Sequence, residues 1–573
     1  MALARTTTPP ASSATHAHQI ALRRAASDNE LHQHVRGLEL AASNGNLEAM
    51  VNLAGLLLNE TSNVRQDTQR AVRLYERAAG AGNLDALYTL ASFYEDGAHG
   101  VPHNPQKAVR LYEQAIADGS CQAMHGLALL LEEGSEDAGE DSVPADPKRA
   151  LALHKASVDA GNFDALHSLA RLLRYGAEGI DKDPQRAIVL YERAIQYGSS
   201  TAMNDLALLL EDGDEEGGVE PDPMRARELY ERAIDEGHSG SMCHLARMYR
   251  DGKDGFPVNT ERAVSLYEMA INSGQRSAIC SLAAILQDGG DDYPADVHRA
   301  VALYERAIEI GESDALFYLG SLLEEGRDDL QIDAKRAVDL FEQAVEVGDI
   351  FAMNRLAVLL LHGGDGVEMD HHRALELYER ASEIGSAGAM FNHACVLESG
   401  TEEIEADPQR AVVLFESSAE RGFPGALIRL ANIVLKGDYD VPQDLDRAVD
   451  LLETAVDRGS TQAMCRLGDI YLKGSYGVTK NPERSFELYE EGIDFGDTLA
   501  ATRLGKLLEE GADGVPADPE RACALYERAA ECGNGDAFYM LADLLERGAD
   551  GVEKDEERAA QLREDAKLNE FDW

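Results

Sequence analysis

The chain has 573 residues, 44% of them hydrophobic, enough to bury a large core instead of remaining an open coil. Its charge is lopsided, with 53 Lys and Arg against 104 Asp and Glu and a formal net charge of −51 at pH 7. Such a field repels phosphate backbones and argues against nucleic acid as a general partner. No apolar run approaches the roughly 20 residues of a bilayer span, so direct membrane insertion is not expected. The seven cysteines are scattered, with neither zinc-ligand spacing nor the density of a secreted disulfide framework. A cytoplasmic location is the expectation.

Residues 1–29 read as a disordered basic and polar tail. Residues 1–27 contain no acid but include Arg5, Arg23 and Arg24 among many Ser, Thr and Ala. That composition also suits a mitochondrial presequence, the alternative location, although Pro9-Pro10 would interrupt its amphipathic helix. Residues 31–43 follow as a degenerate helix able to cap what comes next.

From Gly45 to about Lys567 the chain repeats fourteen times, with a period of 37 residues broken by one step of 42 and one of 39. Periods of this size signal a stacked array. Numbering each unit from its leading glycine, position 9 is leucine in all units but one, and position 10 is always Ala or Gly. Apolar residues at 5, 6, 9, 10 and 13 have helical spacing, and a glycine at position 16 stops this first helix in thirteen units. Position 23 is always Asp or Asn and is followed by proline in half the units, as in Asp183-Pro184, which predicts an N-cap and the start of a second helix. The second helix carries leucine at position 30 in every unit and an aromatic at 31 in eleven. The fold class predicted is all-α, an α/α superhelical solenoid over residues 30–567 with capping helices at both ends. Neighbours must stack, because one 37-residue unit cannot bury enough surface alone. A short tail, 568–573, ends in Phe571-Asp572-Trp573.

Segments such as Ala86-Leu87-Tyr88-Thr89-Leu90-Ala91, with Gly97, Gly100-Val101, Asn104-Pro105 and Leu111-Tyr112-Glu113, resemble the Sel-1-like repeat, a relative of the tetratricopeptide repeat. The resemblance implies a scaffold whose first helices line the concave face, in a family that includes ubiquitin-ligase adaptors at the endoplasmic reticulum, activators of cell-wall synthases and bacterial signalling proteins.

No catalytic constellation stands out: His-Glu-x-x-His, a phosphate-cradling glycine loop and Gly-x-Ser-x-Gly are all missing from the sequence. The loop from Asp212 to Gly217 starts like a calcium loop but has Pro223 where the twelfth-position glutamate belongs. A cysteine-rich branch of the family is linked to penicillin binding through one cysteine in each helix of a repeat. Here Cys243, Cys280 and Cys465 share position 7 without second-helix partners, so a β-lactamase-like enzyme is a weak alternative. No cofactor or metal is implied. His393 stands where every other unit has leucine, either as a hydrogen-bonded core histidine or as a pH-sensitive joint.

The variable face of the first helix carries the partner signal. Position 15 is acidic in six of the first eight units, then becomes His362, Ser399, Lys436 and Lys473. Position 8 changes at the same boundary, to Arg355, Asn392, Arg429, Arg466 and Arg503. Arg355, Asn392, Arg429, Lys436, Arg466, Lys473 and Arg503 form a candidate basic stripe for an acidic protein or peptide, the competing reading being charge balance within an acidic chain. Asn392 and Arg429 match two places of a tetratricopeptide carboxylate clamp, but Asn354 and Gly425 stand where its lysines belong. The function expected is a non-enzymatic scaffold or adaptor. An endoplasmic-reticulum adaptor or substrate receptor of a ubiquitin-ligase degradation complex is the alternative, helped by the sequon Asn59-Glu60-Thr61 and opposed by the lack of a signal-like apolar segment.

Overall fold

The computed structural model describes residues 28–58, 66–135, 142–252, 255–290, 292–327, 330–364 and 366–569. The tail 1–27, the sequon, residues 136–141 of the acidic insertion and Phe571-Asp572-Trp573 lie outside the described residues. Among the described residues the regular elements are 29 α-helices and one 3-10 turn, with only isolated backbone bridges in the loops.

Repeat two shows the local logic. Its first helix, Leu84–Asp96, starts where the Asn83 side chain accepts the Ala86 N–H and ends at Gly97, with φ 64°. Its second helix, Pro105–Ala117, starts where Asn104 accepts the Lys107 N–H. All thirteen position-16 glycines hold φ between 60 and 73°, a region that penalises any residue with a Cβ. Thirteen position-23 caps accept the N–H three residues on, each worth about 1 kcal/mol.

The small residue at position 10 exists to receive the ring at position 31. A Cβ on Gly468 would lie 2.6 Å from Tyr489 Cε1, and one on Gly505 2.6 Å from Tyr526 Cε1. Tyr112, Tyr191, Tyr230, Tyr304, Tyr378, Tyr489 and Tyr526 are accordingly among the largest fully buried side chains. Within each of the two compact units described below, first and second helices of one repeat make the tightest contacts, and each second helix then packs on the next first helix.

The arginine at position 26 also has a physical role. In many repeats its side chain reaches a glutamate on the preceding second helix, as in Arg149–Glu113 (2.6 Å), Arg373–Glu342 (2.8 Å), Arg410–Glu379 (2.9 Å) and Arg558–Glu527 (2.7 Å), whereas Arg484 pairs with Glu487 on its own helix. Arg70 pairs with Glu39 at 2.9 Å, so the helix Asp28–Ser43 supplies what a preceding second helix would. These pairs are half-exposed and individually weak, so they fix register more than they stabilise.

The chain divides into two compact units, one ending at Asp296 and one beginning at Val297. The division falls inside repeat seven, between its first helix, Ala278–Asp288, and its second, Val297–Glu309. Within the first unit the first helices of repeats two and three, four and five, and five and six lie side by side; within the second, those of repeats twelve, thirteen and fourteen do so. The second row carries Arg466, Lys473 and Arg503, whereas Arg355, Asn392, Arg429 and Lys436 lie on the first helices of repeats nine to eleven.

In the Asp212–Gly217 segment the Asp214 side chain accepts the Gly217 N–H at 2.9 Å, and the loop is closed by the Asp214–Val219 bridge. Among the described residues no group of three or more His, Cys, Asp and Glu is placed to hold a metal, and all seven cysteines are free thiols. No helix among the described residues is long and apolar enough to cross a membrane.

Candidate functional site

A recurring junction organises the face formed by the first helices. A carboxylate near the end of a first helix accepts the phenol of position 31 in its own repeat and an arginine from the next repeat. Glu211 takes Tyr230 Oη at 2.8 Å and Arg247 at 2.9 Å. Glu509 takes Tyr526 Oη at 3.0 Å and also Arg547. In repeat three, His154 replaces the tyrosine and meets Glu132 at 2.6 Å, while Arg171 meets the other oxygen of that carboxylate at 2.5 Å. Burial pushes the Glu211 carboxyl up, and the Tyr230 and Arg247 bonds pull it back, so the arginine keeps a poorly hydrated anion in place.

Three arginines of the predicted stripe make the arginine half of such a junction, although Phe341 and Phe415 bring no phenol to Glu324 and Glu398. Arg355 reaches Glu324 at 2.8 Å and Glu325 at 3.0 Å. Arg429 donates Nε and Nη2 to Glu398, at 2.9 and 2.6 Å, and that carboxylate is only 8% exposed. Arg503 pairs with Asp469, which also accepts Tyr489 Oη at 2.7 Å. Asn392 donates to Asn354 Oδ1 at 3.0 Å, so the two amides at the would-be clamp satisfy each other.

Arg466 and the two lysines stand apart. Arg466 donates Nε to Asn432 Oδ1 at 3.1 Å and makes no ion pair among the described residues. Lys436 and Lys473 are exposed and have no polar partner among the described residues. A cleft of about 370 Å³ brings Arg429, Lys436, Arg466 and Arg503 together across the first helices Pro424–Lys436, Thr461–Lys473 and Thr498–Glu510. Asn432, Gln462 and the apolar Ile428 and Leu499 line it too, and Asp469 is its one acidic residue. Lys473, Arg355 and Asn392 lie outside this cleft.

His393 is 3% exposed, and its Nδ1 has no hydrogen-bond partner. It is a core residue, though not the hydrogen-bonded one expected at that nitrogen. Arg563, in the position-31 place of the last repeat, reaches Asp543 at 2.7 Å and Glu546 at 2.6 Å, supplying from its own repeat the cation that a following repeat would otherwise bring.

The Sel1 repeat profile matches fourteen successive segments, running from residues 47–83 to residues 536–562. Among solved structures, the chain is similar to c5321, a protective antigen of uropathogenic Escherichia coli with an SLR fold. The two are 22% identical with a TM-score of 0.48, over 90% of this chain and 97% of that one. A Sel1 repeat protein from Oxalobacter formigenes is 26% identical with a TM-score of 0.39, over 45% of this chain and 99% of that one. Yeast Tom70 is 13% identical with a TM-score of 0.33, over 92% and 96%. No curated protein matches the chain. Matched from residue 47 to residue 562 by the same repeat, and built throughout from the two-helix unit described above, the chain belongs to the Sel1 repeat family.

Proposed function

We propose that the protein is a scaffold that holds a partner by an acidic peptide segment, gripped in the cleft between repeats eleven and thirteen. Sel1 repeat proteins act in general as protein-interaction scaffolds, which supports the broad reading. The observation that carries the finer one is the charge imbalance in that cleft: four cationic side chains face a single carboxylate. In a chain of net charge −51, a surplus of cations in one depression is a local exception. Arg429 and Arg503 are already tied to Glu398 and Asp469, so they form fixed walls. Arg466 and Lys436 keep free donors, and they are the side chains that take up an incoming carboxylate through charge-assisted bonds. At physiological salt the surrounding negative field is screened over about 8 Å, which permits such contacts at close range.

A labelled, amidated Ser-Glu-Glu-Asp-Glu-Ser peptide tests this by fluorescence anisotropy against the full chain. Binding is expected to weaken about tenfold in the Arg466→Ala/Lys436→Ala variant, the scale of one lost charge-assisted bond, with no change in helical content. Unchanged affinity in that variant would mean that the cleft only balances charge.

A further inference from the structure

A second cleft lies in the other unit, with the opposite chemistry. It measures about 550 Å³ and is lined by Tyr88, His125, Phe163, Asp164, His167 and Tyr197, together with small and polar residues. No lysine or arginine lines it. Phe163 and Tyr197 are stacked with ring centroids 3.6 Å apart and planes 6° from parallel, and Tyr197 is 54% exposed. An aromatic face is therefore open to the cleft.

Three imidazoles are held in or beside the cleft. Glu132 lies 2.6 Å from His154 Nε2, with Arg171 on its other oxygen. His125 Nδ1 sits 3.2 Å from His154 Nδ1, and no protein group among the described residues takes up His125 Nε2. Burial, reinforced by the nearby His154 and His167, draws the His125 pKa down to about 3, so this imidazole carries no charge at neutral pH. His167 Nε2 lies 2.7 Å from Asp205 Oδ2, which fixes the ring against the cleft wall. The carboxylates of Glu95, Asp96 and Asp164 all act on Tyr88, so the local field is negative.

We propose that this cleft binds the arginine side chain of an extended basic peptide supplied by a partner protein. The flat guanidinium lies on the exposed face of the Phe163–Tyr197 pair and pairs with the Asp164 carboxylate, with the uncharged imidazole of His125 beside it. Arginine suits the site better than lysine. Its planar cation stacks on a ring while its N–H edge meets a carboxylate, which a compact ammonium cannot do at once. The volume falls within the range of specific ligand sites and accepts one or two side chains, not a whole folded domain.

The test uses the full chain at pH 8 and 0.15 M salt with a labelled, acetylated and amidated Gly-Arg-Gly-Arg-Gly peptide. A citrulline counterpart has the same shape without the charge, and it is expected to bind roughly tenfold more weakly. Tyr197→Ser and Asp164→Asn alter exposed side chains, and each is expected to weaken the arginine peptide severalfold. Glu228→Gln/Glu261→Gln, which removes two exposed carboxylates from second helices, controls for general attraction to an acidic chain and is expected to leave binding unchanged. Equal affinity for the citrulline peptide, equal loss in the control variant, insensitivity to both cleft variants, or no measurable binding each overturns the assignment.

Discussion

Replacing His393 with leucine should stabilise the protein, and more so in acid. His393 lies on the first helix Ala387–Ser399, at the one position where the other thirteen repeats carry leucine. The side chain is 3% exposed, with Nδ1 unpartnered, and a buried polar atom left unbonded costs about 1–3 kcal/mol. Leucine fills a similar volume without that penalty, so His393→Leu is expected to gain about 1–3 kcal/mol at pH 7.5. Protonation adds a second, separable effect. Burial lowers the His393 pKa below its ordinary 6.5; Arg410 reinforces the shift and Glu379 opposes it. The unfolded chain therefore takes up a proton as the pH falls through 6.5 while the folded chain does not, and wild-type stability falls over that interval. The slope cannot exceed about 1.4 kcal/mol per pH unit for one proton. Urea unfolding followed by circular dichroism at pH 7.5 and pH 5.5, with hydrogen exchange read on the Ala387–Ser399 helix, measures both parts. A variant no more stable than wild type would refute the penalty assigned to Nδ1. A gain identical at the two pH values would refute the linkage.

Other expected outcomes follow from the same contacts. Arg429→Ala removes both bonds to the nearly buried Glu398 and should lower stability by about 1.5–3 kcal/mol, whereas Lys436→Ala on the same helix should not change it; equal urea midpoints would dissolve the distinction between tied and free cations. His125, with a folded pKa of about 3 against an ordinary 6.5, should make the first unit acid-labile, contributing about 2 kcal/mol of lost stability by pH 5. His125→Gln should flatten that pH dependence in urea titrations, and a variant as acid-sensitive as wild type would show that the loss arises elsewhere.

The fold was legible in the sequence because every decision it rests on is local. Gly97 stops a helix by its own φ, Asp183 caps one with its own side chain, and Ala or Gly at position 10 makes room for a ring 21 residues on, on the second helix of the same repeat. Reading down columns at a period of 37 recovers all of these. The junctions were not legible that way. Their carboxylate stays near position 14, or at position 11 for Asp469, but the arginine answering it comes from different columns. Arg355, Arg429 and Arg503 stand at position 8, Arg171 and Arg247 at position 11, and Arg547 at position 15. One interaction is thus spread over three columns, because a long guanidinium can approach the same carboxylate from several turns of the neighbouring helix. The position-8 column, conversely, merges two roles.

A signal that separates these roles does exist in the sequence, and it runs between repeats. Arg355 follows a repeat with Glu324 at position 14, Arg429 one with Glu398 there, and Arg503 one with Asp469 at position 11. Arg466 follows Leu435 at position 14 and Asn432 at position 11, and it alone of the four makes no ion pair among the described residues. An arginine on this face is held inside the stack when the preceding repeat offers a carboxylate, and is left with unmet donors when it does not. On that pattern the cleft proposed above has Arg466 and Lys436 as its cations without a carboxylate in the stack, set between Arg429 and Arg503, each of which is held by one.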